Sequence, residues 1–303
     1  MIRPLCYGAM ESCEPDDGQE RMTTPNDIAA AIEHYRAAGY GVLRGVFAAD
    51  EIAEMAAAFD RHWARGMTLG ASFRHGNLLY RVGEDARLGR ILRMVQWPSY
   101  QDALLARVRT DARLLALLEP LLGGEIKQII NQMHWKRPGS AGEFAFHQDV
   151  RFRRPREAYR KLAESYVQTG IAIDRHDAES GAMKVYPAPH GIGEVDLEIA
   201  GSVMDGAMAD DSLRRAGLDP ARIVDLALDP GDVAFWNAYT IHGSGANVST
   251  RDRRFYLNGF VRAADCDRGE WAFRAGRPCP LGAPVLVHYE ALHERPEPHF
   301  IEG

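Results

Sequence analysis

The chain has 303 residues, of which 46% are hydrophobic and 26% charged, and its formal net charge at pH 7 is −6. This composition excludes a disordered or fibrous protein, and the acidic balance disfavours nucleic acid and anionic membrane surfaces as partners. No apolar stretch reaches the roughly 18 residues that cross a bilayer, and no signal-peptide pattern opens the sequence, so we expect a cytoplasmic protein.

The first 120 residues are predicted to be mainly α-helical. Residues 1–23 are polar and lack periodicity, so we expect a loose leader there. Thr24 is a capping residue, and apolar residues at helical spacing predict a helix from Pro25 that ends at Gly39. The pattern then predicts a short strand over 41–46, a helix capped by Asp50, and helices over 99–122 with a break near Thr110 and Asp111.

From Glu125 onward the pattern changes to short runs rich in Val, Ile, Phe, Tyr and Thr, separated by Pro and Gly. The predicted strands cover 125–136, 143–147, 166–174, 182–187, 222–228, 232–242 and 253–263. Strands at this spacing indicate a sandwich or barrel, here a mainly β core with flanking helices. We therefore expect one domain over 24–303, with a helical buttress over 24–122, a β core over 125–263 and a C-terminal extension over 264–303.

Two segments do not follow the spacing of the predicted strands. Residues 151–165 and 196–221 are polar and partly helical. Insertions of this length are often functional, and we expect both to cross one end of the β core.

The first signal of chemistry is the sequence His147-Gln148-Asp149. Residues two apart in a strand point to the same side, so His147 and Asp149 can offer an imidazole and a carboxylate to one ion. A second motif makes a metal site at this pair more specific. It is a Pro-Gly-Asp turn at 230–232 followed by His242 and then Arg253. Two His and one Asp on one face of a metal leave positions open, as non-haem Fe(II) requires for a co-substrate and O₂.

Three neighbouring arginines are candidates to hold the far carboxylate of 2-oxoglutarate by a two-pronged hydrogen bond: Arg251, Arg253 and Arg254. Strand alternation places Arg253 on the same face as Phe255 and Leu257, and the apolar face should look inward. This pattern favours Arg253, with Arg254 as the alternative.

These motifs fall in an order that resembles a known family. HQD at 147–149, ESGAMKVYPAPHGIG at 179–193, LDPGDVAFWNAYTIHGSGAN at 228–247 and Arg253 are similar to the phytanoyl-CoA dioxygenase family of Fe(II)/2-oxoglutarate oxygenases, which includes ectoine hydroxylase. The resemblance covers roughly residues 25–263. It implies a double-stranded β-helix, the jelly-roll or cupin-like core, buttressed by the N-terminal helices.

The resemblance also implies roles for individual residues. His147, Asp149 and His242 would be the iron ligands, Arg253 the 2-oxoglutarate anchor and Ser244 a second contact to the same carboxylate. The implied reaction consumes O₂ and 2-oxoglutarate, releases succinate and CO₂, and hydroxylates an unactivated C–H bond of a small-molecule metabolite or natural-product intermediate.

Further residues are weaker candidates. Gln132 and His134 alternate onto one face of a predicted strand, where either could hydrogen-bond the co-substrate, or His134 could be a core histidine. Arg151, Phe152 and Gln168 are candidates for substrate contact. Two alternative functions stay open from the sequence, a Zn²⁺-dependent hydrolase that uses the same His/Asp/His site and a non-enzymatic jelly-roll binding module.

Overall fold

The computed structural model describes residues 23–189, 192–199, 203–204 and 206–284. The predicted leader, apart from Thr23, and the final 285–303 of the predicted C-terminal extension lie outside the described residues. Within the described ranges, none of the helices has the length and apolar character needed to cross a bilayer.

Six α-helices are present in this part of the chain. They are α1 (Pro25–Ala38), α2 (Ala49–Thr68), α3 (Ala103–Val108), α4 (Ala112–Leu122), α5 (Leu162–Ser165) and α6 (Asp210–Arg215). The start of α1 is confirmed, because the Thr24 hydroxyl accepts the Asp27 N–H while the Asp27 carboxylate accepts the Thr24 N–H. The predicted break is also confirmed, since Asp111 caps α4. Helix α2 starts at Ala49, ahead of the predicted cap at Asp50.

The strands form two antiparallel sheets. They are β1 (Tyr40–Leu43), β2 (Phe73–His75), β3 (Leu78–Asp85), β4 (Gly89–Gln96), β5 (Ile126–Lys136), β6 (Phe144–His147), β7 (Tyr166–Ala172), β8 (Met183–Tyr186), β9 (Val224–Asp225), β10 (Val233–Trp236), β11 (Ile241–Ser244), β12 (Arg253–Arg262), β13 (Glu270–Arg274) and β14 (Arg277–Pro278). The large sheet runs β1-β10-β7-β12-β5-β4-β3-β2, with β13 also paired to β5 and β14 to β13. The small sheet runs β6-β11-β8-β9.

The large sheet separates helices α1 to α4 from the small sheet. Along β10, Phe235 lies in an apolar cluster with Tyr35 of α1 and Phe59 of α2. Its neighbour Trp236 lies in a different cluster, together with Val185 of β8. Because successive side chains of a strand point to opposite faces, helices α1 to α4 cover one face of the large sheet and the small sheet packs on the other. This mainly β arrangement with buttressing helices is the predicted jelly roll.

The prediction that the first 120 residues are mainly α is wrong for one region. Strands β2, β3 and β4 occupy it and extend the large sheet beyond β5. Leu78, Leu79 and Tyr80 are all buried, so the start of β3 is covered on both faces and shows no alternation of apolar and polar residues. A run without that alternation carries no period-2 signal, and the hairpin was therefore not predicted.

The predicted strand over 232–242 is in fact two strands in different sheets. Between β10 and β11 the chain turns at Asn237, whose side-chain oxygen accepts the Tyr239 N–H, and the Thr240 hydroxyl donates to the Gly39 carbonyl. This corner carries the chain from the large sheet into the small one. As a result, Trp236 and His242 reach the same space from different sheets.

A buried arginine ties helix α3 to the described part of the C-terminal extension. Arg109 is fully buried and donates to the side chain of Gln128 (2.6 Å) and to the carbonyls of Trp271 (2.7 Å) and Cys279 (2.9 Å). We expect Arg109→Met to lower the free energy of unfolding by about 3 kcal/mol, because one buried and two part-buried acceptors lose their donor. Urea denaturation measures this loss, and the exposed Arg107→Met on the same helix is the control. Equal effects of the two substitutions would contradict the prediction.

Candidate metal centre and active site

Two strands and a turn bring the three predicted ligands together. His147 ends β6, and its register partner across the small sheet is His242 of β11. Asp149 follows in the 3₁₀ turn that succeeds β6. The Asp149 Oδ1 atom lies 4.0 Å from His147 Nε2 and 3.9 Å from His242 Nε2, and one ligand atom from each residue falls within 4.8 Å of the others. Such a cluster has the spacing to share one metal ion.

The backbone fixes which imidazole nitrogen faces the cluster. His147 Nδ1 donates to the Ala145 carbonyl at 2.8 Å, and His242 Nδ1 donates to the Thr240 carbonyl at 2.9 Å. Each ring therefore carries its proton on Nδ1 and presents the lone pair of Nε2 to the metal position. Burial, together with the neighbouring His242, lowers the pKa of His147 to about 3, so this imidazole is neutral at physiological pH and available as a ligand.

The carboxylate is also prepared for a cation. Asp149 Oδ2 accepts the indole N–H of Trp236 at 3.1 Å, which leaves Oδ1 for the metal position. Burial alone would raise the pKa of Asp149, but His242, Arg153 and His147 nearby and the Trp236 hydrogen bond hold it below its ordinary value. Two imidazoles and one carboxylate fit Fe(II), which non-haem oxygenases bind with this donor set.

The cluster opens into a cavity of about 400 Å³ between the two sheets. Arg253, Phe255 and Leu257 of β12 all line it, as strand alternation predicts for an inward face. The buried Arg253 side chain has no hydrogen-bond partner at Nε within the described residues. It stands over the ring of Phe255, with 5.2 Å from Cζ to the ring centroid.

The neighbouring Arg254 is placed quite differently. Its guanidinium donates to both carboxylate oxygens of Asp174 (2.8 and 2.9 Å) and to Asp60 (3.0 Å). It is thereby held outside the cavity, against the middle of helix α2, where it also donates to the Ala56 carbonyl. Of the two arginines left open by the sequence, only Arg253 lines the cavity with its guanidinium unpaired.

The other predicted co-substrate residues lie on the same walls. Ser244, Gln132 and His134 all line the cavity. The Ser244 hydroxyl accepts a hydrogen bond from the buried Lys136 ammonium at 2.7 Å, and His134 Nε2 lies 3.0 Å from Gln132 Oε1. Burial, with Arg253 and Lys136 nearby, lowers the pKa of His134 to about 3, so it is neutral.

The three low-ranking substrate candidates also line the cavity. Arg151 and Phe152 belong to the turn that carries Asp149, and Phe152 packs edge-on against His147 at 5.7 Å between ring centroids. Gln168, on β7, is buried and accepts a hydrogen bond from the Tyr166 hydroxyl. Their side chains are therefore within reach of any molecule bound beside the metal position.

Sequence reasoning missed several cavity residues. Trp236 stands inside a quoted motif, but its hydrogen bond to Asp149 depends on the corner between β10 and β11. The unpredicted β3–β4 hairpin contributes a whole wall, formed by Leu79, Arg81, Met94 and Gln96. The apolar runs LLYRV and ILRMVQ on either side of Gly89 were the available signal for that hairpin. Val203 and Met204, from the insertion predicted over 196–221, complete the lining.

Comparison with known proteins agrees with this geometry. The family model described as phytanoyl-CoA dioxygenase (PhyH) matches residues 35–255. A probable alpha-ketoglutarate-dependent hypophosphite dioxygenase of Stutzerimonas stutzeri is 28% identical over 249 residues, covering 78% of this chain and 79% of the relative. The ectoine dioxygenase of Stutzerimonas stutzeri (strain A1501) is 23% identical over 288 residues, covering 89% of this chain and 87% of that protein.

The fold has solved counterparts as well. The crystal structure of EctD from S. alaskensis with 2-oxoglutarate and 5-hydroxyectoine superposes with a TM-score of 0.60 at 20% identity, covering 86% of each chain. The family match spans well over half of the sequence and encloses the His147, Asp149 and His242 cluster. The chain therefore belongs to the phytanoyl-CoA dioxygenase family and is an Fe(II)/2-oxoglutarate-dependent dioxygenase.

Proposed function

We propose that this dioxygenase hydroxylates an unactivated C–H bond of a small-molecule metabolite or natural-product intermediate, with release of succinate and CO₂. The observation that carries the proposal is one cavity that holds both the His147, Asp149 and His242 cluster and the unpaired guanidinium of Arg253. A site with this donor set and an adjacent buried cation suits a chelating dicarboxylate beside a metal.

In this proposal His147, Asp149 and His242 hold the iron. Arg253 binds the far carboxylate of 2-oxoglutarate, and the Ser244 hydroxyl donates a hydrogen bond to the same carboxylate. Fe(II), 2-oxoglutarate and O₂ together supply the oxidising power when they are bound. The protein's part is to hold the ligands in place, to orient the co-substrate and to keep the cavity walls dry.

The cavity walls suit a small substrate with a carbon skeleton. Phe144, Phe152, Met183 and Val203 provide apolar surface around the metal position. The volume of about 400 Å³ lies within the range of ordinary small-molecule sites. The two curated relatives are named for hypophosphite and ectoine, which are both small molecules, and this supports a substrate of the same size class here.

Anaerobic addition of Fe(II) and 2-oxoglutarate to the metal-free protein tests the proposal. We expect the weak visible charge-transfer band of a chelated complex, and succinate formation on aeration with a screen of small-molecule substrates. No band at saturating concentrations would favour either the Zn²⁺ hydrolase or the non-enzymatic binding module. Hydrolytic activity restored by Zn²⁺ would then select the hydrolase.

The indole of Trp236 gives a more local prediction. Trp236→Phe removes the hydrogen bond to Asp149 Oδ2 and keeps an aromatic ring beside His242. We expect Fe(II) affinity to fall about tenfold, the lower end of what outer-shell partners contribute. An anaerobic Fe(II) titration monitored by the charge-transfer band measures the change, with Trp63→Phe on helix α2 as the control. Unchanged Fe(II) affinity in Trp236→Phe would show that the indole does not position the carboxylate.

A further inference from the structure

The charge of the active-site cavity is opposite to that of the protein. Its described lining residues include four arginines, Arg81, Arg151, Arg153 and Arg253, and one carboxylate, Asp149. A chain with net charge −6 thus encloses a locally basic cavity, even before a divalent cation is added.

Two of the four arginines already have a role. Arg253 is assigned to 2-oxoglutarate in the function proposed above. Arg153 is buried, lies 5.0 Å over the ring of Tyr166 and donates to the Tyr166 hydroxyl at 2.9 Å. Arg81 and Arg151 are left to account for.

Within the described ranges, no carboxylate lies within 4.0 Å of the guanidinium of Arg81 or Arg151, in contrast to Arg156, which pairs with Glu194 at 2.8 Å. Arg81 donates to the thioether of Met204 at 3.5 Å, and Arg151 stands 5.8 Å from the ring of Phe152. Both neighbours are uncharged, so both cations are available to a ligand.

The two arginines line the cavity from different structural elements. Arg151 is two residues from Asp149, beside the metal position. Arg81 is on β3 and lines a second, outer cavity of about 720 Å³ as well as the inner one, and Met204 is the other residue shared by both. Arg81 therefore lies between the two cavities, and the inner cavity is lined by cations from both the β3 wall and the Asp149 turn.

We propose that the substrate carries an oxyanionic group, a carboxylate, phosphonate or phosphate monoester, that Arg81 and Arg151 bind. A planar guanidinium presents paired donors that match such groups. Arg81 is half-buried and Arg151 is exposed to solvent, and both line the cavity. The inference rests on the proposed function, since it assigns the remaining cations after the metal and 2-oxoglutarate are placed. The apolar walls at Phe144 and Val203 are then left for the carbon skeleton that is oxidised.

The test is calorimetric titration of the anaerobic Fe(II)·2-oxoglutarate complex with probes of one size. The anionic probes are butyrate, propylphosphonate and propyl phosphate, and butyramide and butylamine are the neutral and cationic counterparts. We expect the anions to bind at least about tenfold more tightly than butyramide, with an affinity that falls as salt rises. The tightest of the three anions identifies which oxyanion the site prefers.

Variants assign the effect to the two arginines. Arg81→Gln and Arg151→Gln should each weaken anion binding by about tenfold, because each removes a charge-assisted hydrogen-bond donor. Arg90→Gln, an exposed arginine of β4 that lines neither cavity, should bind like the wild type. The 2-oxoglutarate charge-transfer band should be unchanged in all three variants.

Several results would overturn the inference. These are equal or no binding of anionic and neutral probes by the wild type, anion binding that survives both Arg81→Gln and Arg151→Gln, or loss of the 2-oxoglutarate band in either variant, which would assign that guanidinium to the co-substrate. A wild-type protein that gives no band at all would refute the proposed function instead. The band thus separates failure of the substrate assignment from failure of the activity.

Discussion

Asp149→Ala is expected to abolish turnover and to reduce Fe(II) affinity by more than the roughly 10–100-fold that loss of an outer-shell partner costs. The substitution removes the single carboxylate of the His147, Asp149 and His242 cluster, and the two imidazoles alone do not provide the facial set that Fe(II) requires. The measurements are Fe(II) affinity under anaerobic conditions and succinate formation in the presence of 2-oxoglutarate.

The control for Asp149→Ala is Asp60→Ala. Asp60 is an exposed carboxylate that pairs with Arg254 at 3.0 Å on the outside of the sheet, so its loss should leave Fe(II) affinity unchanged. Folding of both variants is checked by thermal unfolding of the metal-free proteins. Substantial Fe(II)-dependent succinate formation by a folded Asp149→Ala protein would show that the metal is bound elsewhere.

Short-range patterns were sufficient to single out the three residues that the fold brings together at the predicted metal site. His147 and Asp149 are two residues apart, and the strand carrying His242 was recognisable from its own composition. What made the cluster specific was the order of motifs, because one HxD pair is common on protein surfaces. Strand alternation predicted that Arg253, not Arg254, faces inward. In the structure one side of β12 faces the cavity, and Arg254 on the other side pairs with Asp174.

Contacts between distant segments could not be predicted in the same way. Trp236 donates to Asp149 across 87 residues of sequence, and only the corner at 237–240 brings them together. The start of β3 has no alternating pattern because both of its faces are covered, so the sequence did not connect Arg81 with the site. Residues whose function depends on how two sheets face each other are therefore the ones that the sequence conceals.

Arg253→Met is expected to raise the concentration of 2-oxoglutarate needed for half-maximal turnover by about 100-fold, which corresponds to about 2.7 kcal/mol for two charge-assisted hydrogen bonds. The guanidinium is buried, lines the cavity and is unpaired at Nε, so its loss removes the cation that the distal carboxylate would meet. Arg253→Lys keeps the charge but loses the two-pronged geometry, and its effect should be intermediate. Fe(II) affinity in the absence of 2-oxoglutarate should stay close to that of the wild type.

Arg254→Met is the matched control for this prediction. Its side chain pairs with Asp174 and Asp60, so the substitution should lower the free energy of unfolding while leaving the 2-oxoglutarate dependence unchanged. Near-wild-type apparent affinity for 2-oxoglutarate in Arg253→Met would remove Arg253 as the anchor. If Arg254→Met instead caused the larger loss of affinity for 2-oxoglutarate, Arg254 on the outer face of β12 would be the anchor. Its ion pairs with Asp174 and Asp60 would then have to break before the co-substrate could bind.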